Sequence, residues 1–317
     1  MNSTSWSISE MPDQSGRTVV ITGANSGLGF EATKAFARKG AHVVMACRDL
    51  DRARSARDDV ASSVDDPSLS VLELDLADLK SIRSFVDAFE ETHGELHVLC
   101  NNAGIMAIPR RETADGFEMQ FGVNHLGHFA LTGLLVDSLR ETAGESRIVT
   151  QSSGLHENGE IDVSDLHGEE DYDKWDAYAR SKLANLLFAY ELDRRLRAAD
   201  ASVKSVGCHP GYADTDLQFR GPEMAGSRLR LWGMKLANQL IAQSAERGAL
   251  PMLYAATAPD IVGGEYVGPD GFRNLRGAPE IHASSERSYN ETLAGQLWDA
   301  SEDLTGVSFD LDDSNHV

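Results

Sequence analysis

Short apolar, β-branched runs alternate with longer stretches of helical period along this 317-residue chain. RTVVIT (17–22), HVVMAC (42–47), SVLELD (70–75), LHVLCN (96–101), SRIVTQS (146–152), VKSVGC (203–208) and the short GEYVG (264–268) read as strands apolar on both faces. Helix-period segments fill the intervals at about 27–39, 51–62, 79–92, 115–140, 175–198 and 244–257. This alternation predicts an α/β fold: a single Rossmann-type, doubly wound parallel sheet of about seven strands with helices on both faces. Seven strands on that rhythm use up the chain, so residues 1–317 read as one domain without a linker, its core at about 15–270.

Two stretches break the rhythm. Residues 154–174 are polar and acidic and separate the fifth strand from the next helix; residues 212–240 follow the sixth strand. In an open α/β sheet ligands bind beyond the carboxyl ends of the strands, so extra chain there is expected to carry substrate contacts and a lid, chiefly at 212–240. The end of the tail beyond about 300 is expected to fray.

The first β-α junction carries candidate chemistry. VVITGANSGLGFEATKAFARKG runs from a strand through Gly23, Gly27 and Gly29 into a helix. Glycines at such a turn let the backbone approach a pyrophosphate, whose charge the helix N-terminus meets. Thr22, Gly23, Asn25, Ser26, Gly27, Leu28 and Gly29 are therefore candidate dinucleotide contacts. The second strand ends in Cys47 and Arg48, where an NAD site usually offers an acid. An arginine pairs with a 2′-phosphate that an acid would repel, which favours NADP(H) over NAD(H). Asp49 follows directly, and a surface ion pair of Arg48 with Asp49 or Asp51 is the competing reading.

Composition narrows the partners. A net charge of −21 opposes nucleic acid and anionic membrane, and no run approaches 18 apolar residues, so no membrane span is expected. The first residues show neither the basic nor the apolar region of a secretory signal. Cys47, Cys100 and Cys208 stand far apart at the ends of apolar runs and read as buried small side chains in a reducing, cytoplasmic setting. Only seven of the 29 basic residues are lysines. An acid-rich, lysine-poor surface points to a halophile, whose salt screens the self-repulsion, the competing reading being an ordinary acidic bacterial protein.

Tyr178 and Lys182 in DAYARSKLANL lie one helical turn apart, a spacing that means little alone. With TGANSGLG, NNAG (101–104), VNHLGHF (123–129), VTQSSG (149–154), YARSK (178–182) and HPGYADT (209–215) in order, however, the chain resembles the short-chain dehydrogenase/reductase family over roughly 15–270. ACRD and SKLANLLFAYELDRRL resemble its retinol dehydrogenase-like branch. The resemblance implies a catalytic set of Asn124, Ser153, Tyr178 and Lys182. It places Asn101, Asn102, Ala103 and Gly104 between the central sheet and the adenosine, and Asp75 with Leu76 near the adenine. Pro210, Gly211 and Thr215 would contact the nicotinamide half, as would Lys182 and Tyr178.

Those residue types suit carbonyl/alcohol chemistry. A phenol gives or takes the proton of the alkoxide, an ammonium nearby is expected to lower the phenol's pKa, and a serine orients the substrate oxygen. Asn124 is expected to kink its helix, so that a water there relays protons from Lys182 to solvent. The family's SSxxG-like pattern favours the second serine, Ser153, but here glycine follows at once, and Ser152 stays open. His125 and His128 have metal-like spacing but no third ligand nearby, so helix packing is expected and no metal. His156, Trp175, Tyr212, Phe219, Leu231, Trp232 and Met234 could line a lipophilic substrate pocket or simply pack. The long 115–140 and 175–198 helices could join copies into a homo-oligomer. The reading is an NADP(H)-dependent oxidoreductase. The rivals are a nucleotide-sugar epimerase or dehydratase, whose usual Thr-Gly-x-x-Gly-x-x-Gly loop is missing here, and a non-catalytic NADP-sensing protein.

Overall fold

The computed structural model describes residues 6–169, 171–211, 244–271 and 274–311. Its sheet has eight strands: β1 (Thr18–Thr22), β2 (His42–Cys47), β3 (Ser68–Glu73), β4 (Val98–Asn101), β5 (Ser146–Gln151), β6 (Val203–Cys208), β7 (Tyr266–Pro269) and β8 (Pro279–His282). The spatial order is β3-β2-β1-β4-β5-β6-β7-β8. Seven strands run parallel, and β8 pairs antiparallel with β7, Tyr266 opposite His282. The expected seven strands are thus joined by an eighth. PEIH holds a proline and a glutamate, spans four residues and lies at the edge, where a one-sided ladder tolerates both.

The helices are α1 (Gly27–Arg38), α2 (Leu50–Ser63), α3 (Leu79–Thr92), α4 (Gly127–Glu141), α5 (Lys174–Ala198), α6 (Leu250–Thr257) and α7 (Glu291–Thr305). Two apolar layers cover the two sheet faces, because strand side chains alternate between faces. Val19, Ile21, Val43 and Met45 meet Phe36 of α1 and Leu253 of α6. Val20, Val44, Leu99 and Ile148 meet Phe85 and Phe89 of α3, Phe129 of α4 and Phe188 of α5.

One expectation needs correction. The helical stretch at 115–140 is not continuous: it starts at Met119, passes through a π turn at Gly122–Leu126 and then becomes α4. A widened turn of this kind rebuilds the ladder locally and re-aims the side chains on it. The end of the tail, residues 312–317, lies outside the described residues; before it, α7 buries Trp298 between Phe129, Phe188 and Phe309, and Gly306 ends the helix in the left-handed conformation. Among the described residues no helix is long and apolar enough to cross a membrane.

Candidate active site

The strand order reverses between β1 and β4, each neighbour leading away from the other, and a cleft opens beyond the carboxyl ends there. Its volume is about 1100 Å³, and Thr22, Gly23, Asn25, Ser26, Gly27, Leu28, Arg48, Asp75, Leu76, Asn102, Ala103 and Gly104 line it. The sequence reading is thereby drawn together on the coenzyme side, Gly29 lying just behind. Gly23 (φ +68°) and Gly27 (φ +54°) adopt the left-handed conformation that a side chain disfavours. At Gly29 a Cβ would stand 2.5 Å from the Gly23 carbonyl and 2.7 Å from Asn102 Nδ2, so α1 packs directly on the turn.

Thr22 holds that turn to β4. Its Oγ1 accepts the Asn102 and Ala103 N–H groups, both at 2.9 Å, and its carbonyl accepts Asn102 Nδ2 at 2.7 Å. The first turn of α1 receives no side-chain cap from Ser26, so its N–H groups are left for an anion in the cleft. Glycines without room for a Cβ, uncapped N–H donors and a cleft of this size fit a dinucleotide. Arg48 is exposed on the cleft wall. Neither acid beside it takes it up among the described residues: Asp49 accepts Arg52 N–H as the cap of α2, and Asp51 pairs with Arg54 at 3.2 Å. Asp75 Oδ1 accepts Ala77 N–H at 3.0 Å, shaping the turn after β3.

β5 and α5 carry the second set. Tyr178 and Lys182 are buried on one face of α5, with Lys182 Nζ 5.8 Å from the centre of the Tyr178 ring. Ser153 faces the Tyr178 phenol and favours its ionised form. Ser152 instead donates to the Lys182 carbonyl at 2.7 Å, so the two serines are engaged differently. Burial pushes the Tyr178 phenol up to about 12, against the influence of Ser153, and pulls Lys182 down to about 8. The expected lowering of the phenol by Lys182 is not what this geometry produces. The ammonium donates to the Gln151 carbonyl at 3.1 Å, and burial is the largest influence on the phenol.

Asn124 lies in the π turn, fully buried. Its Oδ1 accepts Ile105 N–H at 2.8 Å, and its Nδ2 donates to Ile105 O and Ser181 Oγ, both at 2.9 Å. A Cβ on Gly104 would come within 3.1 Å of Asn124 Oδ1 and 3.6 Å of Lys182 Nζ, which ties the NNAG turn to the same place. Pro210 and Gly211 (φ +65°) follow β6; Thr215, Tyr212, Phe219, Leu231, Trp232, Met234 and the expected lid at 212–240 lie outside the described residues. Trp175 is exposed at the start of α5, whereas His156 is buried and donates from Nδ1 to the Ser153 carbonyl at 2.7 Å. The 154–174 stretch is anchored: Arg180 of α5 donates to the carbonyls of Asp165 and Leu166.

Some contributors were invisible in the sequence. The Gln151 carbonyl accepts from both Lys182 and Asn185, and Ser181 braces Asn124. Only the S of YARSK hinted at either. His125 and His128 are engaged in the interior, His125 with Ser301 at 3.0 Å and His128 with Thr22 at 2.9 Å, which is the packing role expected of them.

Residues 17–224 match the short chain dehydrogenase family. Human retinol dehydrogenase 11 is 40% identical over 295 residues, 93% of this chain and 87% of that protein. A crystal structure of an uncharacterized protein from Mycobacterium paratuberculosis is 41% identical with a TM-score of 0.79, covering 96% of this chain and 99% of the other. A structure from Beutenbergia cavernae, assigned as an NAD(P)-dependent gluconate 5-dehydrogenase and holding NADP at low occupancy, is 26% identical with a TM-score of 0.60 (80% and 95% covered).

Proposed function

Because this chain belongs to the short-chain dehydrogenase/reductase family, we propose that it interconverts a carbonyl and an alcohol with NADP(H), Tyr178 serving as general acid/base. Membership makes it an oxidoreductase acting on CH–OH donors with NAD(P) as acceptor. The bound nicotinamide supplies or takes the hydride; the protein's own groups handle the proton and the developing charge. Ser153 donates to the substrate oxygen and holds it beside Tyr178. Tyr178, protonated at neutral pH, gives its proton as the alkoxide forms, and takes it back in the oxidising direction. Lys182 offsets the phenolate that remains, and Asn124 guides its reprotonation through water.

The observation that carries this reading is the buried Tyr178–Lys182 pair on one face of α5, with Lys182 Nζ 5.8 Å from the Tyr178 ring and a glycine turn fit for a dinucleotide on the same side of the sheet. Arg48 supports NADP(H): its exposed guanidinium, unpaired among the described residues, lines the cleft where an acid would favour NAD(H). Similarity to a retinol dehydrogenase supports a lipophilic substrate. Three buried, unpaired cysteines support a cytoplasmic setting, and the acid-rich, lysine-poor composition supports work at high salt. We read the chain as one domain. An alcohol and carbonyl screen with NADPH and NADH, at high salt and after dialysis, tests all of this. Tyr178→Phe is expected to lose about 100-fold or more in kcat. Equal turnover of wild type and Tyr178→Phe sinks the mechanism, and indifference to salt sinks the halophilic reading.

A further inference from the structure

His128 is 1% exposed and sits in α4 one turn after Asn124. Its Nδ1 is 3.0 Å from the Asn124 carbonyl and its Nε2 is 2.9 Å from Thr22 Oγ1. The partners settle where the protons are. A carbonyl only accepts, so Nδ1 carries hydrogen. Thr22 Oγ1 already accepts from the Asn102 and Ala103 N–H groups, which fills its two lone pairs, so its one hydrogen points to Nε2. The other acceptor open to it, the Cys100 carbonyl, is farther away at 3.3 Å. One neutral tautomer satisfies every one of these groups at once.

The titratable groups that face this imidazole favour the same form. Lys182 of α5 opposes a second positive charge, His125 of the π turn is itself held neutral, and burial pulls His128 down to about 4. The Asn124 side chain, meanwhile, is fully engaged with Ile105 and Ser181. Its main-chain carbonyl is the group left to act on the proton path.

We propose that His128 is a positioning residue: as a neutral Nδ1–H imidazole it ties the Asn124 carbonyl to Thr22, so that one side chain sets both the coenzyme turn and the proton path from Lys182. This rests on the roles proposed above for Asn124, Tyr178 and Lys182. The two bonds separate by substitution, because an Asn amide nitrogen can stand near Nδ1 as a donor and a Gln amide oxygen near Nε2 as an acceptor for the Thr22 hydroxyl. His128→Asn keeps the donor to Asn124 and loses Thr22; His128→Gln reaches Thr22 and loses Asn124.

The split is the expected result. His128→Gln lowers kcat about tenfold or more and raises the solvent deuterium isotope effect, with NADPH affinity within about threefold of wild type. His128→Asn keeps kcat within about threefold and weakens NADPH binding about tenfold. Equal losses in both variants, or no loss in either, overturn the proposal. Nitrogen-15 spectra of the wild-type histidines provide a measure that does not depend on variants folding. They are expected to show His128 as the Nδ1–H tautomer throughout about pH 5.5–8.5; an Nε2–H signal, or titration in that range, overturns the proposal too. Turnover by Tyr178→Phe removes the underlying mechanism and this inference with it. An inactive Tyr178→Phe alongside unsplit His128 variants removes the inference alone.

Discussion

The two flanks of the sheet build their part of the site from different materials. On the β1–β4 flank the contacts are main-chain groups and glycines: the turn at 23–29, the Asn102 and Ala103 N–H groups, and one threonine hydroxyl joining them. On the β5–β8 flank they are side chains braced from far along the chain. His156, behind Ser153, accepts Ser285 N–H at 3.1 Å, Tyr190 of α5 bonds Ser284 at 2.7 Å, and Arg287 reaches the Gly159 carbonyl at 3.0 Å. A backbone site tolerates change in side chains but none in the space between chains. A side-chain site reverses that, since each group can be exchanged but its support cannot.

The largest expected effect breaks the backbone flank. Gly29→Ala puts a methyl into the Gly23 carbonyl and Asn102, and NADPH affinity is expected to fall more than about 100-fold, an order set by overpacking a fixed turn. Gly268→Ala on the far flank also collides, with the His209 ring, yet should lower Tm while leaving NADPH affinity unchanged. Similar affinity losses in both, by fluorescence titration, would erase the division between flanks.

A smaller change sharpens the coenzyme side. Arg48→Ala is expected to cut the NADPH-over-NADH preference in kcat/KM by about tenfold, the worth of one charge-assisted pair. An unaltered ratio would move coenzyme selection elsewhere in the cleft. The smallest effect concerns the side-chain flank and pH. Lys182 is held below the ordinary lysine range, at about 8, so its charge is present below that pH and lost as pH rises through it. Tyr178, at about 12, keeps its proton over the same range. The kcat for carbonyl reduction should therefore hold at neutral pH and decline severalfold toward about pH 9.5; a profile flat across that span contradicts the role given to Lys182.

The difference between flanks also explains what could be read from the chain. Glycine spacing states a backbone constraint directly, so Gly23, Gly27 and Gly29 announced the turn, and β1–β7 followed from their apolar runs. The Tyr178–Lys182 face followed from helix period. β8 did not, since four residues with a proline and a glutamate have no strand pattern. The π turn was hidden because period alone cannot register one extra residue per turn within a continuous apolar stretch. The different engagement of Ser152 and Ser153 depends on how β5 leaves the sheet, and neighbouring serines look alike in a sequence. His128 was legible only as interior, because its two partners, Thr22 and the Asn124 carbonyl, lie in separate elements.

α7 has a consequence for the order in which the molecule comes together. Its Ser301 meets His125 across 176 positions, and its Trp298 closes the aromatic group shared by α4 and α5. Contacts that distant form late, since a long loop must close before they return any stabilisation. Until α7 docks, the helices bearing Asn124 and Tyr178 expose Phe129 and Phe188 to water, a surface that chaperones bind and that seeds aggregation. A chain cut short before α7 is therefore expected to aggregate and to lack activity together, since one helix covers the apolar surface and holds both catalytic elements in place.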